Sequence, residues 1–218
     1  AGFDIVEYTG TSGTQAVSHS LGATPDCIMM HLKSGTNVDG TMFMPDTVAS
    51  GMGTGEGVFM SLSNAAQTTS YMSSVSSTTF TMPSTSMNQT GRTYVAYLFR
   101  DIEGFSRFGQ YTGNGDADGP FVQLDFKPRF FWIKNIDSSS GWTVIDTARY
   151  IDNDANGPGR LEWNFSSAEV TGSSATREMD ITSNGFKIRS TNSNINTDGD
   201  KYIYGAFADV PSKYSNAF

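Results

Sequence analysis

The chain has 218 residues, of which 37% are hydrophobic, 12% aromatic and 17% charged, with a formal net charge of −8. Good helix formers are sparse and aromatics can build cores, so the composition excludes both a helical protein and a disordered chain. The 14 Lys and Arg residues are scattered, which argues against binding to nucleic acid or to an anionic membrane surface. No apolar run approaches the ~18 residues of a membrane span, so no membrane insertion is predicted.

The first half of the chain is predicted to form short strands. Pro25 precedes an apolar run at 27–30, which predicts a buried strand containing the single cysteine, Cys27. A lone cysteine forms no internal disulfide, so no such bridge staples the fold. Residues 66–77 are polar and rich in Ser and Thr, and they are predicted as either a long loop or an exposed strand. The continuous apolar run at 94–99 indicates a central strand.

The second half continues with the same period of two. An apolar run follows Pro128, and residues 185–189 alternate apolar and basic side chains, with Lys187 and Arg189 facing outward. Residues 202–207 form another continuous apolar run. Gly-rich turn clusters separate these runs at short intervals, a spacing typical of an antiparallel β-sandwich or barrel.

An internal repeat organises the chain. The Tyr-Thr-Gly sequence at 8–10 recurs at 111–113, and Pro25 recurs as Pro128 at the same offset. Later landmarks recur in the same order at a slightly larger offset: Asn88, Gly91, Tyr94, Phe99 and Asp101 match Asn196, Gly199, Tyr202, Phe207 and Asp209. The sequence therefore predicts an all-β fold of two tandem antiparallel β-sandwich units, jelly-roll-like and derived by duplication, at 1–104 and 105–218.

Besides a strand at Phe108 and the apolar strand at 128–134, four motifs of the second unit carry a family resemblance. They are Tyr-Thr-Gly-Asn-Gly at 111–115, Trp-x-x-x-Asp-Thr-x-Arg at 142–149, Asn-Gly-Phe-Lys-x-Arg at 184–189 and Tyr-x-Tyr-x-Ala-Phe-Ala-x-x-Pro at 202–211. Together they resemble a repeat domain of phage tail-fibre and other virion proteins, common in phages of marine bacteria. The first unit matches at its two ends and diverges between about 32 and 80, where it lacks the Trp and Asn-Gly-Phe-Lys elements.

The resemblance implies an extracellular virion protein without catalysis, a tail-fibre or spike module that adheres to a host surface glycan or protein. It also implies contacts with other virion proteins and a symmetric homo-oligomer, by analogy a trimer. Adhesion would rest on shallow, loop-borne sites strengthened by multivalency. Two alternatives stay open: a capsid decoration or head-fibre protein without a receptor role, and a glycan depolymerase, which would need paired carboxylates in a groove.

Candidate binding residues are few. Trp142 and Trp163 stand near predicted loops, where an indole face could stack on a sugar, although core packing is the alternative. His19 and His31 have no companion histidine at metal-ligand spacing, and neither a Gly-x-Ser-x-Gly elbow nor a phosphate-binding loop occurs. No catalytic residue is assigned, and the chain is not predicted to be an enzyme.

One segment has the pattern of a calcium loop. Asp152, Asp154 and Asn156 place oxygen ligands at alternate positions, and a glycine follows. Glu162 would complete the site, although it lies one place earlier than a typical calcium loop requires. The alternative is a solvated acidic turn. A weaker candidate at 114–119 is more typical of a turn, and no cofactor other than calcium is indicated.

Overall fold

The computed structural model describes residues 2–34, 41–43, 52, 55–68, 71–149, 159–170 and 178–209. The chain divides into two compact units, Ala1–Asp101 and Ile102–Phe218, close to the predicted boundary after residue 104. Nearly all regular structure in the described part is β-strand. Among those residues no helix is both long and apolar enough to cross a membrane.

The first unit has nine strands in its described part, together with a 3-10 turn at Ser86–Asn88. The strands are β1 (Phe3–Thr9), β2 (Gln15–Ser18), β3 (Cys27–Ser34), β4 (Thr41–Phe43), β5 (Glu56–Phe59), β6 (Gln67–Thr68), β7 (Ser74–Val75), β8 (Thr79–Met82) and β9 (Thr93–Phe99). The larger sheet has the order β1-β9-β3-β4-β5-β6 and the smaller one β2-β8-β7. The undecided stretch at 66–77 thus contributes the two short strands β6 and β7.

The second unit has eight strands in its described part and a one-turn helix, α1 (Ser193–Asn196). The strands are β10 (Ser106–Thr112), β11 (Phe121–Gln123), β12 (Pro128–Asn135), β13 (Trp142–Asp146), β14 (Arg160–Glu162), β15 (Met179–Thr182), β16 (Gly185–Ile188) and β17 (Lys201–Ala208). Its sheets have the orders β10-β17-β12-β13-β14 and β11-β16-β15.

The two units share one strand order. In each, the first strand pairs antiparallel with the last, and the second pairs with the next to last. These two pairings are those of a jelly roll, whereas the third and following strands run as an antiparallel meander on the other side of the last strand. A shared strand order is what the predicted duplication requires, and the first unit differs by its additional strand β6.

Each unit buries a core between its two sheets. In the first, Tyr8 and Leu98 of the larger sheet pack with Phe80 of the smaller sheet. In the second, Phe131 of the larger sheet stacks on Phe186 of the smaller one, with ring centroids 4.8 Å apart. Two sheets that enclose one apolar layer form a sandwich, so the predicted all-β antiparallel sandwich class is confirmed.

The alternation at 185–189 places side chains as expected. Phe186 and Ile188 are fully buried, while Lys187 and Arg189 form ion pairs with Asp118 at 2.9 and 3.1 Å. A period of two puts successive side chains on opposite faces of a strand, and here only one face meets the core. In β17 both faces are covered between Tyr202 and Ala206, as its continuous apolar sequence indicates.

Candidate functional site

The repeated tyrosines brace the interior of both units. In the second unit the Tyr111 ring stacks on Tyr202 at 5.0 Å between centroids, and the Tyr111 hydroxyl donates to the carbonyl of Ile195 at 2.8 Å. The Tyr202 hydroxyl donates to the carbonyl of Ser193 and accepts from the amide of Thr197, both at 2.8 Å. The paired hydroxyls therefore connect the first and last strands of the unit to the segment that contains α1.

The first unit has a closely similar arrangement, in which the hydroxyl of its last-strand tyrosine donates one position further along the preceding segment. Tyr8 stacks on Tyr94 at 5.2 Å, and its hydroxyl donates to the carbonyl of Met87 at 2.7 Å. The Tyr94 hydroxyl donates to the carbonyl of Ser86 at 2.9 Å and accepts from the amide of Gln89 at 3.1 Å. The Tyr-Thr-Gly and Tyr-x-Tyr landmarks thus supply scaffold contacts.

A buried asparagine holds the turn after the first strand of each unit. Asn196 accepts from the amide of Asn114 at 2.9 Å and donates to the carbonyl of Asp116 at 2.8 Å. Its counterpart Asn88 accepts from the amide of Thr11 at 3.1 Å and donates to the carbonyl of Gly13. In the 114–119 segment these bonds, and the ion pairs of Asp118, describe a braced turn rather than a cation loop.

The aromatic candidates lie on the outer face of the larger sheet of the second unit. Trp142 is 0% exposed, stacks on Trp163 at 4.8 Å and meets the edge of Trp132 at 5.6 Å. A buried indole presents no face to a sugar, so Trp142 is a packing residue in this fold and its expected place at a binding surface is corrected. Trp163 is partly buried against Trp142.

The position aligned with His31 is also covered in the second unit. His31 is exposed, as an outward strand position predicts, but Lys134 is fully buried. Its amine donates to the carbonyl of Asn135 at 2.6 Å, and burial lowers its pKa to about 8. The aromatic layer around Trp132 and Trp142 explains the difference, because it occupies the face on which Lys134 lies.

A charged cluster connects β14 with the segment around α1. The Arg160 guanidinium pairs with Glu178, and its Nε lies 4.0 Å from Glu162 Oε1. Asn192 donates to Glu178 at 2.8 Å, and Asn194 donates to Glu162 at 2.9 Å. The two carboxylates share one guanidinium and two neutral amide donors, so the cluster is a cross-link in which Arg160 supplies the single positive charge.

The calcium-loop candidates are only partly placed. Glu162 is engaged by Arg160 and Asn194, which compete with any cation for its oxygens. Asp152, Asp154 and Asn156 lie outside the described residues. Within the described part, no group of three or more His, Cys, Asp or Glu side chains is placed to hold a metal ion.

The residues considered for catalysis have local roles. His19 Nε2 lies 3.2 Å from the carbonyl of Ser76, and its Nδ1 accepts from the amide of Leu21 at 3.3 Å. Cys27 is fully buried in β3, and burial raises the pKa of its thiol. The ring of His19 therefore braces a turn, and the thiol of Cys27 stays protonated inside the sheet.

A polar groove of about 630 Å³ opens in the first unit, between the turn that follows β1 and the segment that joins β8 to β9. The described side chains that line it carry hydroxyl, amide or guanidinium groups, and none of these is acidic: Ser12, Ser84, Thr85, Ser86, Gln89, Thr90 and Arg92. Ser12 Oγ accepts from the amide of Thr90 at 2.8 Å and from its hydroxyl at 3.0 Å. These bonds fix the two walls of the groove to each other.

The matching turn of the second unit has the opposite charge. By the shared landmarks, Thr90 and Arg92 correspond to Asp198 and Asp200. The same backbone bond occurs in both units: the amide of Gly10 donates to the carbonyl of Arg92, and that of Gly113 donates to the carbonyl of Asp200, both at 2.9 Å. The two units thus place different side chains on one shared frame.

The sequence prediction did not identify the groove. Its residues come from positions 12 and 84–92, which the fold brings together through the pairing of β1 with β9. One signal was present: the hydroxyl-rich run at 84–86 precedes the landmark Asn88, and Arg92 stands where the second unit has Asp200. Comparing the two repeats position by position would have singled out this turn.

Comparison with known families gives one match. A family model described as a domain of unknown function, DUF7483, matches residues 1–211. The match spans both units. Neither a curated protein nor a solved structure matches the chain significantly.

Proposed function

Since the chain belongs to the DUF7483 family, whose description assigns no function, we propose a function from the chain's own residues. It is a structural module of a phage virion appendage, a tail-fibre or spike component that serves adhesion to the host surface. It acts outside the cell, in contact with other virion proteins and as a homo-oligomer.

The observation that carries this proposal is that the repeated motif residues serve as structural contacts inside the two units. Tyr111, Tyr202 and Asn196, which belong to the motifs or landmarks of the resemblance, form buried scaffold contacts. Tyr8 and Asn88 do the same in the first unit. A motif whose repeated side chains brace a sandwich supports a load-carrying or presenting role, because chemistry would require acids, bases or nucleophiles held at a shared cleft.

The groove of the first unit supports the adhesive part of the proposal. It is open and polar, and no aromatic side chain lines it, so a single site of this kind binds weakly. An appendage compensates by presenting several copies, since linked weak sites gain effective concentration without any new contact. The braced walls around Ser12 and Thr90 limit the ordering cost of binding.

The proposal is tested on particles of the phage that encodes the chain. Mass spectrometry of purified particles should detect the chain in stoichiometric amount, and gold-labelled antibodies against it should mark the tail or a spike in electron micrographs. Antibodies should also slow adsorption to host cells. Absence of the chain from particles overturns the proposal.

The same experiment separates the alternatives. Labelling on the head, with adsorption unaffected by the antibody, identifies a decoration protein and overturns the adhesive role. Release of reducing ends from host polysaccharide by the purified chain identifies a depolymerase and overturns the non-catalytic role.

A further inference from the structure

We infer that the polar groove of the first unit is a binding site for an acidic glycan, a sugar chain that carries carboxylate groups. The inference deepens the proposed function by naming the class of receptor, and its biological role rests on that function. The binding itself is a property of the groove and is measured without reference to the virion.

The positive charge of Arg92 in the groove favours an anionic ligand. The chain carries a net charge of −8, yet among the described residues that line the groove Arg92 is the one charged side chain. A guanidinium carries five N–H donors in a planar fork that matches a carboxylate, so it can contact more than one acceptor at a time. The equivalent turn of the second unit carries Asp198 and Asp200, which would repel the same ligand.

The remaining lining groups suit a polyhydroxylated ligand. Hydroxyls of Ser and Thr and the amide of Gln89 both donate and accept, as sugar hydroxyls do. The volume of about 630 Å³ lies within the range of small-ligand sites, roughly 300–1,000 Å³, and admits a short oligosaccharide. Charge alone would also suit a simple polyanion, and the row of neutral donors and acceptors favours a sugar.

Thr85 supplies a polar atom that lacks a partner. Its Oγ1 is shielded from solvent and has no hydrogen-bond partner within the part of the chain that the structure describes. A polar atom that is buried without a partner destabilises the protein until it is satisfied. Because Thr85 lines the groove, we expect a sugar hydroxyl to satisfy this atom once the side chain has turned from its shielded position.

The turn at Ser12 keeps a side chain where the second unit has none. Ser12 has φ of 57°, and its counterpart Gly115 has φ of 65°. This left-handed backbone favours glycine, so a serine there is strained. Its hydroxyl bonds to Thr90 across the groove, so the strained residue fastens one wall to the other. The strained backbone of Ser12 thus accompanies a hydrogen bond that holds the walls of the groove in place.

The experiment uses the full chain and isothermal titration calorimetry with three probes. Oligogalacturonate provides sugar hydroxyls with carboxylates, maltohexaose provides hydroxyls without charge, and poly-glutamate provides carboxylates without sugar. The variants are Arg92→Gln and Thr85→Val in the groove, with Arg107→Gln as the matched control because Arg107 is exposed on β10 and does not line the groove. Circular dichroism confirms that each variant is folded.

We expect oligogalacturonate to bind at least tenfold more tightly than either other probe. Arg92→Gln should weaken that binding tenfold or more, Thr85→Val should weaken it several-fold, and Arg107→Gln should leave it unchanged. The inference is overturned by lack of oligogalacturonate binding, by equal binding of poly-glutamate or maltohexaose, or by folded groove variants that bind like the parent chain. A chain absent from virions that still binds through the groove overturns the appendage role alone.

Discussion

The stacked tyrosine pairs show how single hydroxyls secure this fold. Tyr111 is almost fully buried, and burial together with the neighbouring Tyr202 raises its pKa well above the ordinary value. The hydroxyl therefore stays protonated and remains a donor to the carbonyl of Ile195. A buried carbonyl that loses its donor pays a desolvation cost, so each such hydroxyl contributes more than its hydrogen bond alone.

Replacing Tyr111 by Phe tests this contribution. The ring stack on Tyr202 persists, but the carbonyl of Ile195 loses its donor, so the free energy of unfolding should fall by about 1–3 kcal/mol. Tyr97→Phe is the control, since the Tyr97 side chain is exposed and should change stability by less than about 0.5 kcal/mol. Urea unfolding measures both. Equal effects of the two variants would contradict the bracing role.

A second prediction concerns Lys134 and the dependence of the free energy of unfolding on pH. Burial lowers its pKa from 10.5 to about 8. Between pH 8 and 10.5 the unfolded chain keeps a proton that the folded chain has released, so this residue makes the free energy of unfolding rise with pH in that window. Below pH 8 both states hold the proton, and the folded state bears the full cost of the buried charge.

Lys134→Met should therefore stabilise the chain at pH 7, by about 1–3 kcal/mol, and should flatten the rise in stability between pH 8 and 9.5. Lys33→Met is the control, because Lys33 forms an exposed pair with Glu7 and should leave the slope intact. Thermal unfolding at several pH values gives the answer. A slope that persists in Lys134→Met would assign it to another group.

At the level of secondary-structure elements, the charged cluster at β14 links that strand to the segment around α1. These ionic contacts are an interaction that the apolar cores do not supply. Arg160, Glu162 and Glu178 are all largely buried, with side chains 13, 17 and 9% exposed. Buried carboxylates depend on their cation, because removing one partner leaves a charge without compensation. The ion pairs of Arg129 with Asp146 and Asp209 lie at the surface, where water screens them.

Arg160→Met should lower the free energy of unfolding by about 3–5 kcal/mol, because Glu178 then keeps its charge in a buried site. The double variant Arg160→Met with Glu178→Gln should recover much of this loss. Arg129→Met breaks exposed pairs and should cost no more than about 1 kcal/mol. Urea unfolding of the three variants checks the order. A loss for Arg160→Met no larger than that for Arg129→Met would contradict the buried tie.

The calcium hypothesis concerns the connection between β13 and β14. If Asp152, Asp154 and Asn156 bind calcium, millimolar calcium should raise the melting temperature by a few degrees, since extracellular calcium modules bind at about 0.1–1 mM. Asp154→Asn should remove the shift, and magnesium should not reproduce it. Differential scanning calorimetry with and without a chelator makes the comparison. An unchanged melting temperature identifies an acidic turn.

For the molecule as a whole, the first unit leaves an apolar edge uncovered. Phe3 and Ile5 on β1 are 44 and 55% exposed, and Tyr97 on the neighbouring strand β9 stacks on Phe3. Among the described strands β1 lies at the end of its sheet and pairs only with β9. Proteins rarely leave such an edge without protection, and a partner subunit is one way of covering it.

We predict that the chain assembles into a homo-oligomer, a trimer by analogy with virion appendages. Light scattering after size-exclusion chromatography should give a multiple of the 23.6 kDa chain mass. Ile5→Lys should shift the population toward the monomer, because a charge on an edge strand opposes strand pairing. His31→Lys, which adds the same charge at an exposed position of β3, away from the edge strand, should shift it less. A monomeric mass at all concentrations would refute the assembly.

Local patterns determined the fold class. The alternation around Phe186 and Lys187 specified a half-buried strand, and the recurrence of Tyr8 and Asn88 as Tyr111 and Asn196 indicated two equivalent units. Such signals are readable because strand periodicity and turn chemistry act over only a few residues. The antiparallel meander that follows the last strand in the larger sheet of each unit was not predicted, since the pairing partner of a strand depends on distant segments.

Tertiary structure alone decided which faces of the strands are exposed to water. Periodicity tells which side chains share a face of a strand, but whether that face meets water depends on the elements packed over it. For this reason Trp142 and Lys134 are buried, while the aligned His31 is exposed. The groove is a product of the same cause, because Ser12 meets Thr90 only when the first strand pairs with the last.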